Sequence, residues 1–376
     1  MNIGVVCYPT FGGSGVVATE LGKALGEHGH HIHFITYAQP TRLDFFNKNV
    51  YYHEVTFENY PLFKYPPYET ALASKIVDAA THEKLDLLHV HYAIPHASSA
   101  YMAQQILKSK GIDLPFITTL HGTDITLVGQ DKTYEPVVTF SINSSNGVTA
   151  VSESLRKRTL NHFAVDREVR VIPNFVDLRR FSKQGKEHFK TAICPNNERL
   201  IVHTSNFRKV KKVDDVVRVF KLILDKIPAK LLLVGDGPER PMIENLCREL
   251  DITEDVRFLG KLSAVEEVLS VADLFLMPSE KESFGLAALE AMACELPVIS
   301  SNAGGIPELN IHGVTGFLSE IGDVKGMAEN ALMVLADENL PKFKAAALAR
   351  AKEFDQSLIV PQYEAFYNEV LEKGKV

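Results

Sequence analysis

Short apolar runs alternate along the chain with longer stretches in which apolar residues recur at every third or fourth position. Runs of the first kind predict strands buried on both faces, and the second kind predict amphipathic helices that cover them. Asn2–Tyr8 predicts a strand, Gly15–His28 a helix, and His31–Tyr37 the next strand. Further runs at Leu85–Val90, Phe116–Leu120, Gly147–Val151 and Val169–Ile172 extend that series. Residues 174–198 are polar and broken and read as a linker. A second series follows, with strands at Arg199–Thr204, Lys230–Val234, Val256–Leu259, Leu274–Met277 and Pro297–Ser300, and Gln356–Lys373 closes the chain as a helix. Strand and helix in alternation imply parallel sheets wrapped on both faces. The expected fold class is α/β, with two Rossmann-like, doubly wound domains facing each other across a cleft. The first comprises residues 1–173 joined by the C-terminal helix 357–376, and the second residues 199–356. In such domains ligands bind beyond the carboxyl ends of the strands, so the cleft is the expected site.

Composition narrows the class without naming a function. The chain has 376 residues, 45% hydrophobic and 23% charged, which suits a globular protein of two domains. Its net charge of −7 argues against a dedicated nucleic-acid binder. Cys7, Cys194, Cys247 and Cys294 are far apart and form no CxxC pair, so they read as free thiols of a reducing compartment. No apolar stretch reaches the roughly 18 residues needed to span a bilayer, and no basic leader precedes the first strand. A cytoplasmic protein is expected.

Candidate chemistry lies where strands give way to helices. Gly12-Gly13-Ser14-Gly15 follows the first strand and opens the first helix, where backbone N–H groups and the helix dipole favour an anion. Gly13-Ser14-Gly15-Val16-Val17-Ala18 also fits the dinucleotide pattern G-x-G-x-x-A. That pattern needs an acidic residue about 20 positions on to hold the ribose, and the second strand ends Thr36-Tyr37-Ala38-Gln39 without one. A nicotinamide site is therefore disfavoured, while anion binding and a purely structural tight turn both remain open. Glu282 should stand at a strand's carboxyl edge and Glu290 two turns into the helix that starts near Phe284, with the Ser283–Leu286 amides facing a ligand. Carboxylates so placed accept hydroxyl protons in pairs and suit a ribose and a hexose, although two solvated glutamates would give the same spacing. Arg208, Lys209, Lys211 and Lys212 close the first strand of the second domain, where cations can neutralise a diphosphate leaving group. A solvated basic loop is the alternative, and Gly235-Asp236-Gly237-Pro238 beyond the next strand favours the nucleotide. His28, His30, His31 and His33 straddle a helix end and a strand with no fixed metal geometry. His89, His91 and His96 surround a strand end, where core or hydrogen-bonding roles fit better than ligation. No D-x-D segment is present, and no metal ligand is assigned. His121, after the strand Phe116–Leu120, should face the crevice.

Together the Gly12–Gly15 loop, His121–Asp124, the Asn206–Lys211 loop, Glu282–Glu290, Gly304-Gly305-Ile306-Pro307-Glu308 and Gly313–Phe317 resemble the retaining glycosyltransferases of family 4, which have the GT-B fold. These segments span nearly the whole chain, and the glutamate and GG-x-P-E segments are the most specific. One departure is visible: many members carry Gly-Arg where this chain has Ser205-Asn206, which shifts phosphate contact toward Arg208 beside Lys211. The resemblance implies nucleotide-sugar contacts from Gly15, Asn206, Arg208, Lys211, Glu282, Ser283, Phe284, Gly285, Leu286 and Glu290. Glu290 would hold the ribose, Lys211 and Arg208 the diphosphate, and Glu282 with the 283–286 amides the sugar, whose far hydroxyl His121 would reach. His121, Glu282, Lys211 and Arg208 are thus the expected catalytic groups. Retention without an enzymatic nucleophile is usually explained by same-face attack, with the leaving phosphate taking the acceptor's proton.

Within the family, Cys7-Tyr8-Pro9, Phe63-Lys64-Tyr65-Pro66-Pro67-Tyr68, His91-Tyr92-Ala93-Ile94-Pro95-His96 and Thr204-Ser205-Asn206-Phe207-Arg208 are similar to the members that open bacillithiol biosynthesis. That likeness implies UDP-N-acetylglucosamine as donor, a substrate and not a cofactor, and L-malate as acceptor. Malate is a small dianion, and Gly13, Ser14, Lys64, Tyr92, Thr119 and Asn174 are the groups expected around it. No cofactor, metal, nucleic acid or stable membrane association is implied, and a homodimer is left open. The rival readings are transfer to another small acceptor or a lipid headgroup, such as inositol phosphate or phosphatidylinositol, and a nucleotide-sugar-binding protein without catalysis. For lipid docking Ser154–His162 offers Arg156, Lys157 and Arg158, but the net acidic balance makes this the weaker case. Retention of both glutamates, His121 and Lys211 argues against lost catalysis.

Overall fold

The computed structural model describes the chain except for residues 11, 44–46, 58–64, 66, 184, 186 and 374–376, and the side chains of residues 130 and 187. In chain order the elements are β1 (Asn2–Val6), α1 (Gly13–Glu27), β2 (His31–Thr36), β3 (Val50–Glu54), α2 (Tyr68–Glu83), β4 (Leu87–His91), α3 (Ser98–Ser109), β5 (Phe116–Leu120), α4 (Thr123–Thr126), α5 (Glu135–Ser144), β6 (Gly147–Ala150), α6 (Glu153–His162) and β7 (Val169–Val171). They continue as α7 (Glu187–Ile193), β8 (Arg199–Thr204), α8 (Val213–Leu224), β9 (Ala229–Val234), α9 (Arg240–Glu249), β10 (Val256–Gly260), α10 (Val265–Leu269), β11 (Leu274–Met277), α11 (Leu286–Ala293), β12 (Val298–Ser301), β13 (Gly316–Ser319), α12 (Val324–Leu335), α13 (Leu340–Lys352) and α14 (Gln356–Lys373).

The chain divides into two compact units, Met1–Asn174 with Ser357–Val376, and Phe175–Gln356. Each holds one parallel sheet of Rossmann type. The first has the order β3-β2-β1-β4-β5-β6-β7 and the second β10-β9-β8-β11-β12-β13. The order reverses between β1 and β4 in the first unit, and between β8 and β11 in the second. Those are the two places where neighbouring crossovers run to opposite faces and leave the strand ends uncovered.

Burial on both faces explains the unbroken apolar strands. Leu87, Leu88 and Val90 of β4 and Leu274, Phe275 and Leu276 of β11 are almost wholly inaccessible. Helix α8 shows the complementary pattern: Val213, Val216, Val217, Phe220 and Ile223 are buried and recur at three- and four-residue spacing. Asp214 and Asp215 in its first turn oppose the positive end of the helix dipole. Full burial of one such side chain stabilises by roughly 1.5–3 kcal/mol.

The structure differs from the sequence reading in three elements. Strand β3 and strand β13 were not anticipated, and residues 174–198 are not a free tether. Phe175, Val176 and Phe181 are buried, and α7 is anchored by Lys190, whose ammonium donates to both oxygens of Asp273 at 2.7 and 2.8 Å. Asp273 is itself buried at the start of β11, accepts from the Leu200 N–H at 3.0 Å and pairs with Lys344 of α13 at 3.1 Å. One carboxylate thereby joins α7, α13 and two central strands of the second unit. We expect Asp273→Ala to destabilise that unit by about 1–3 kcal/mol, since it strands a backbone donor and two ammonium groups. Urea denaturation followed by fluorescence on the isolated variant and parent would show it, and an unchanged midpoint would refute the anchoring role.

Candidate active site

The second unit offers two loops at its reversal point. After β8, Phe207 is completely buried and anchors the turn, which leaves Asn206 and Arg208 exposed on either side of it. His203 holds that turn from beneath. A carbonyl can only accept, so His203 donates from Nδ1 to Leu276 O at 2.8 Å and accepts at Nε2 from the Ser205 hydroxyl, also 2.8 Å away. Burial lowers the imidazole to about 4, so it is neutral. The turn ends at Lys211, before α8 begins.

The loop after β11 carries Glu282. Its backbone oxygen accepts from the Gly305 N–H at 3.1 Å. Gly304 has φ +57, and a Cβ there would stand 1.9 Å from that same oxygen, so only glycine fits. The GG-x-P-E segment is thus the clamp that fixes Glu282. Across the reversal point the Lys211 ammonium donates to Glu282 Oε2 at 2.6 Å. Ser283 and Leu286 are half-buried, and Phe284 is buried against Phe354. Helix α11 starts at Leu286, two residues later than the pattern suggested, with Gly285 as its left-handed cap. Glu290 lies in its second turn with 7% exposure, near enough for its charge to add to burial in raising the Cys294 thiol. Asn206, Arg208, Lys211, Glu282, Ser283, Phe284, Gly285, Leu286 and Glu290 therefore all come from the two loops and the helix that flank β8 and β11.

In the first unit the loops after β1 and β4 meet. Helix α1 begins at Gly13, with Gly12 as its cap and Gly13 exposed. Gly15 lies beneath the loop, where a Cβ would be 2.5 Å from Tyr8 O and 2.7 Å from Thr10 O. The Tyr92 hydroxyl donates to Ser14 Oγ at 2.7 Å, so the two loops share a polar edge. Tyr92 holds φ +92, a conformation that costs a bulky residue about 1–3 kcal/mol and tends to persist at functional sites. Asn174 ends the unit, with its Oδ1 buried and unpartnered among the described residues. Thr119 does not line this surface. It is fully buried, its hydroxyl 2.7 Å from both His89 Nε2 and Thr149 Oγ1, and it supports the strand end from below. Lys64 lies outside the described residues.

Several supporting groups are assigned core or hydrogen-bonding roles by the sequence without their partners. His91 Nδ1 and His121 Nε2 are 2.8 Å apart, and His91 Nε2 is buried without a partner among the described residues. A buried unpaired N–H is rarer than a buried unpaired lone pair. His91 therefore carries its proton on Nδ1 and donates it, and His121 accepts at Nε2 and holds its own proton on Nδ1. Asp124 accepts from the Ala93 N–H at 2.9 Å and the Gly122 N–H at 3.0 Å, tying the loop after β5 to the loop after β4. His89 Nδ1 meets the Tyr367 hydroxyl of α14 at 2.8 Å.

The comparisons with known proteins fit this arrangement. The model described as Glycosyltransferase Family 4 matches residues 11–180, and the one described as Glycosyl transferases group 1 matches residues 184–351. The chain is 47% identical over 378 aligned positions to the N-acetyl-alpha-D-glucosaminyl L-malate synthase of Bacillus anthracis, covering 100% of this chain and 98% of that protein. The chain belongs to glycosyltransferase family 4. Two solved structures place this family 4 enzyme in the GT-B fold. HepE of Anabaena, solved with UDP and glucose, aligns with a TM-score of 0.83 at 20% identity over 98% of this chain and 99% of that one. The sucrose-phosphate synthase of Thermosynechococcus elongatus aligns with 0.81 at 22% identity over 99% and 100%. Among the described residues of this glycosyltransferase no helix is long and apolar enough to cross a membrane.

The buried imidazoles make a pH prediction. Burial lowers His89 and His121 to about 3 and His96 and His203 to about 4. An unfolded chain takes up these protons near pH 6.5, so below that pH it binds more protons than the folded one. Asp124, raised to about 6 by burial, acts in the opposite sense but is one group against four. We expect the thermal midpoint to fall steadily from pH 6.5 toward pH 4. A flat or rising midpoint across that window, measured by scanning calorimetry, would contradict neutral burial.

Proposed function

We propose that this chain transfers N-acetylglucosamine from UDP-N-acetylglucosamine to the hydroxyl of L-malate, with retention at the anomeric carbon. The observation that carries this reading is the 47% identity, end to end, with the malate synthase of Bacillus anthracis. The geometry supplies compatible chemistry. Glu290 would accept the two ribose hydroxyls, and Lys211 and Arg208 would face the diphosphate. These cations supply the charge that a divalent metal supplies in other transferases, so the step is proposed to need none. Glu282 and the 283–286 backbone would hold the sugar, and His121 has an Nδ1 proton with which to donate to a hydroxyl.

In the reaction the bond between the anomeric carbon and the β-phosphate oxygen breaks, and the malate hydroxyl oxygen bonds to that carbon. The hydroxyl proton passes to the departing phosphate, and UDP leaves. Malate is a dianion, and the start of α1 at the exposed Gly13, with Ser14 and Tyr92, forms a surface suited to one of its carboxylates. The four cysteines are buried and unpaired, which fits a reducing, cytoplasmic setting.

Release of UDP from UDP-N-acetylglucosamine in EDTA, with and without L-malate, tests the reading directly. We expect release to depend on malate. Release that malate leaves unchanged would retire it as acceptor and turn attention to inositol phosphate and lipid headgroups. Glu290→Ala should weaken UDP binding roughly 10–100-fold by removing charged hydrogen bonds, whereas Tyr92→Phe should raise the KM for malate and leave UDP affinity alone. Equal effects of both variants on UDP affinity, measured by calorimetric titration, would undo this division of roles.

A further inference from the structure

The first sheet ends at β3, and its two outer strands carry a side-chain group that the transfer chemistry does not use. Strands β2 and β3 pair in parallel with His33 opposite Tyr51 and Ile35 opposite His53. His33 and His53 are therefore diagonal neighbours on one face. His33 Nδ1 and His53 Nε2 approach to 3.0 Å, with the rings stacked at 5.2 Å. Glu83, the last residue of α2, brings its carboxylate to the same place, so that the ligand atoms of all three lie within 4.8 Å of one another. His33 is buried, His53 half-buried and Glu83 exposed.

Two imidazole nitrogens and a carboxylate oxygen are the donor set of three-ligand zinc sites, in which water takes the fourth position. Bonds of about 2.0–2.2 Å in a tetrahedron hold the ligand atoms about 3.3–3.5 Å apart. The imidazole pair needs to open by only a few tenths of an ångström, and Glu83 has an exposed side chain free to swing inward. The 3.0 Å contact is a hydrogen bond, so one of the two facing nitrogens carries a proton, and that ring must shift to its other tautomer for both to ligate. Burial, with His53 beside it, lowers His33 to about 4, and burial also lowers His53, so both rings are neutral and, after that shift, able to ligate. The other charged and titratable groups that bear on the pair are His31, and Lys75 and Asp78 of α2. Lys75 and Asp78 pair with each other at 3.3 Å, so Glu83 is the anion left to meet a cation.

We propose that His33, His53 and Glu83 bind a divalent transition-metal ion of the zinc class, which clamps the edge strand β3 to β2 and to the end of α2. The site is independent of sugar transfer. It lies at the β3 edge, four strand spacings or roughly 19 Å from β5, which leads into His121. It also differs from the histidine tract in the sequence, because His28 and His30 both turn to Glu364 of α14, at 3.1 and 2.9 Å, and only His33 joins the set.

The test uses the full chain, stripped with EDTA and desalted, then titrated with Co²⁺ and back-titrated with Zn²⁺. We expect one equivalent to bind saturably with the visible absorption of a four-coordinate cobalt site, and zinc to displace it and raise the thermal midpoint. His53 is half-buried on an edge strand and Glu83 is exposed, so His53→Ala and Glu83→Gln should fold and bind UDP as the parent does. Each should weaken cobalt binding by more than the roughly 10–100-fold that follows loss of a group merely supporting a ligand. Absence of a saturable single equivalent would overturn the proposal, and so would parent-like cobalt affinity in both variants.

Discussion

Opposite charges held 2.6 Å apart by two separate loops organise the ligand face of the second unit. Lys211 reaches its position because Phe207 and His203 fix the turn after β8, and Glu282 because the Gly304–Gly305 backbone closes over its carbonyl. Both side chains remain about one-fifth exposed, so the pair is worth only about 1 kcal/mol and not the larger coupling of a dry site. That weakness matters. On the proposed reading an arriving diphosphate takes over Lys211, and the released Glu282 carboxylate becomes available to sugar hydroxyls. A tightly buried pair would resist the exchange.

The first unit solves its own electrostatic problem differently. Its ligand face rests on neutral imidazoles: His89, His91, His96 and His121 are all buried, and their protons are allocated by hydrogen bonds and not by charge. On the proposed reading, a neutral base beneath a surface that receives a dianion adds no counter-charge, which leaves the helix end and loop donors to determine affinity. His91 is central here, because its unpartnered Nε2 settles which nitrogen of His121 bears the proton.

Much of this was legible in the amino-acid order. The strands of both sheets that are buried on two faces were visible as apolar runs, and the loops that carry Lys211 and Glu282 and the helix that carries Glu290 followed from where those runs end. Strand β3 escaped because it is an edge: Val50-Tyr51-Tyr52-His53-Glu54 is half-exposed and has no apolar run to mark it. Strand β13 escaped because glycine opens it and only Phe317 and Leu318 are apolar. Buried phenylalanines within a polar stretch, Phe175 and Phe181, were outweighed by their surroundings, which is why residues 174–198 read as a linker. Thr119 shows a different limit. Position at a strand end cannot say which face a side chain takes, and here the hydroxyl points into the sheet's polar support. His91 and Asp124 needed tertiary pairing to acquire meaning, since His121 and Ala93, the partners that tie their loops together, lie about thirty residues away in sequence.

Helix α14 belongs to the unit with which the chain began. Its Tyr363 and Tyr367 are fully buried there, and the Tyr367 hydroxyl bonds His89 beneath the loops of the first sheet. During synthesis the ribosome must therefore release nearly the entire chain before the first unit can seal its interior, while the second already has every strand and helix it needs. The order of maturation runs against the order of translation. The first unit is thus completed by a helix that follows the whole of the second in sequence.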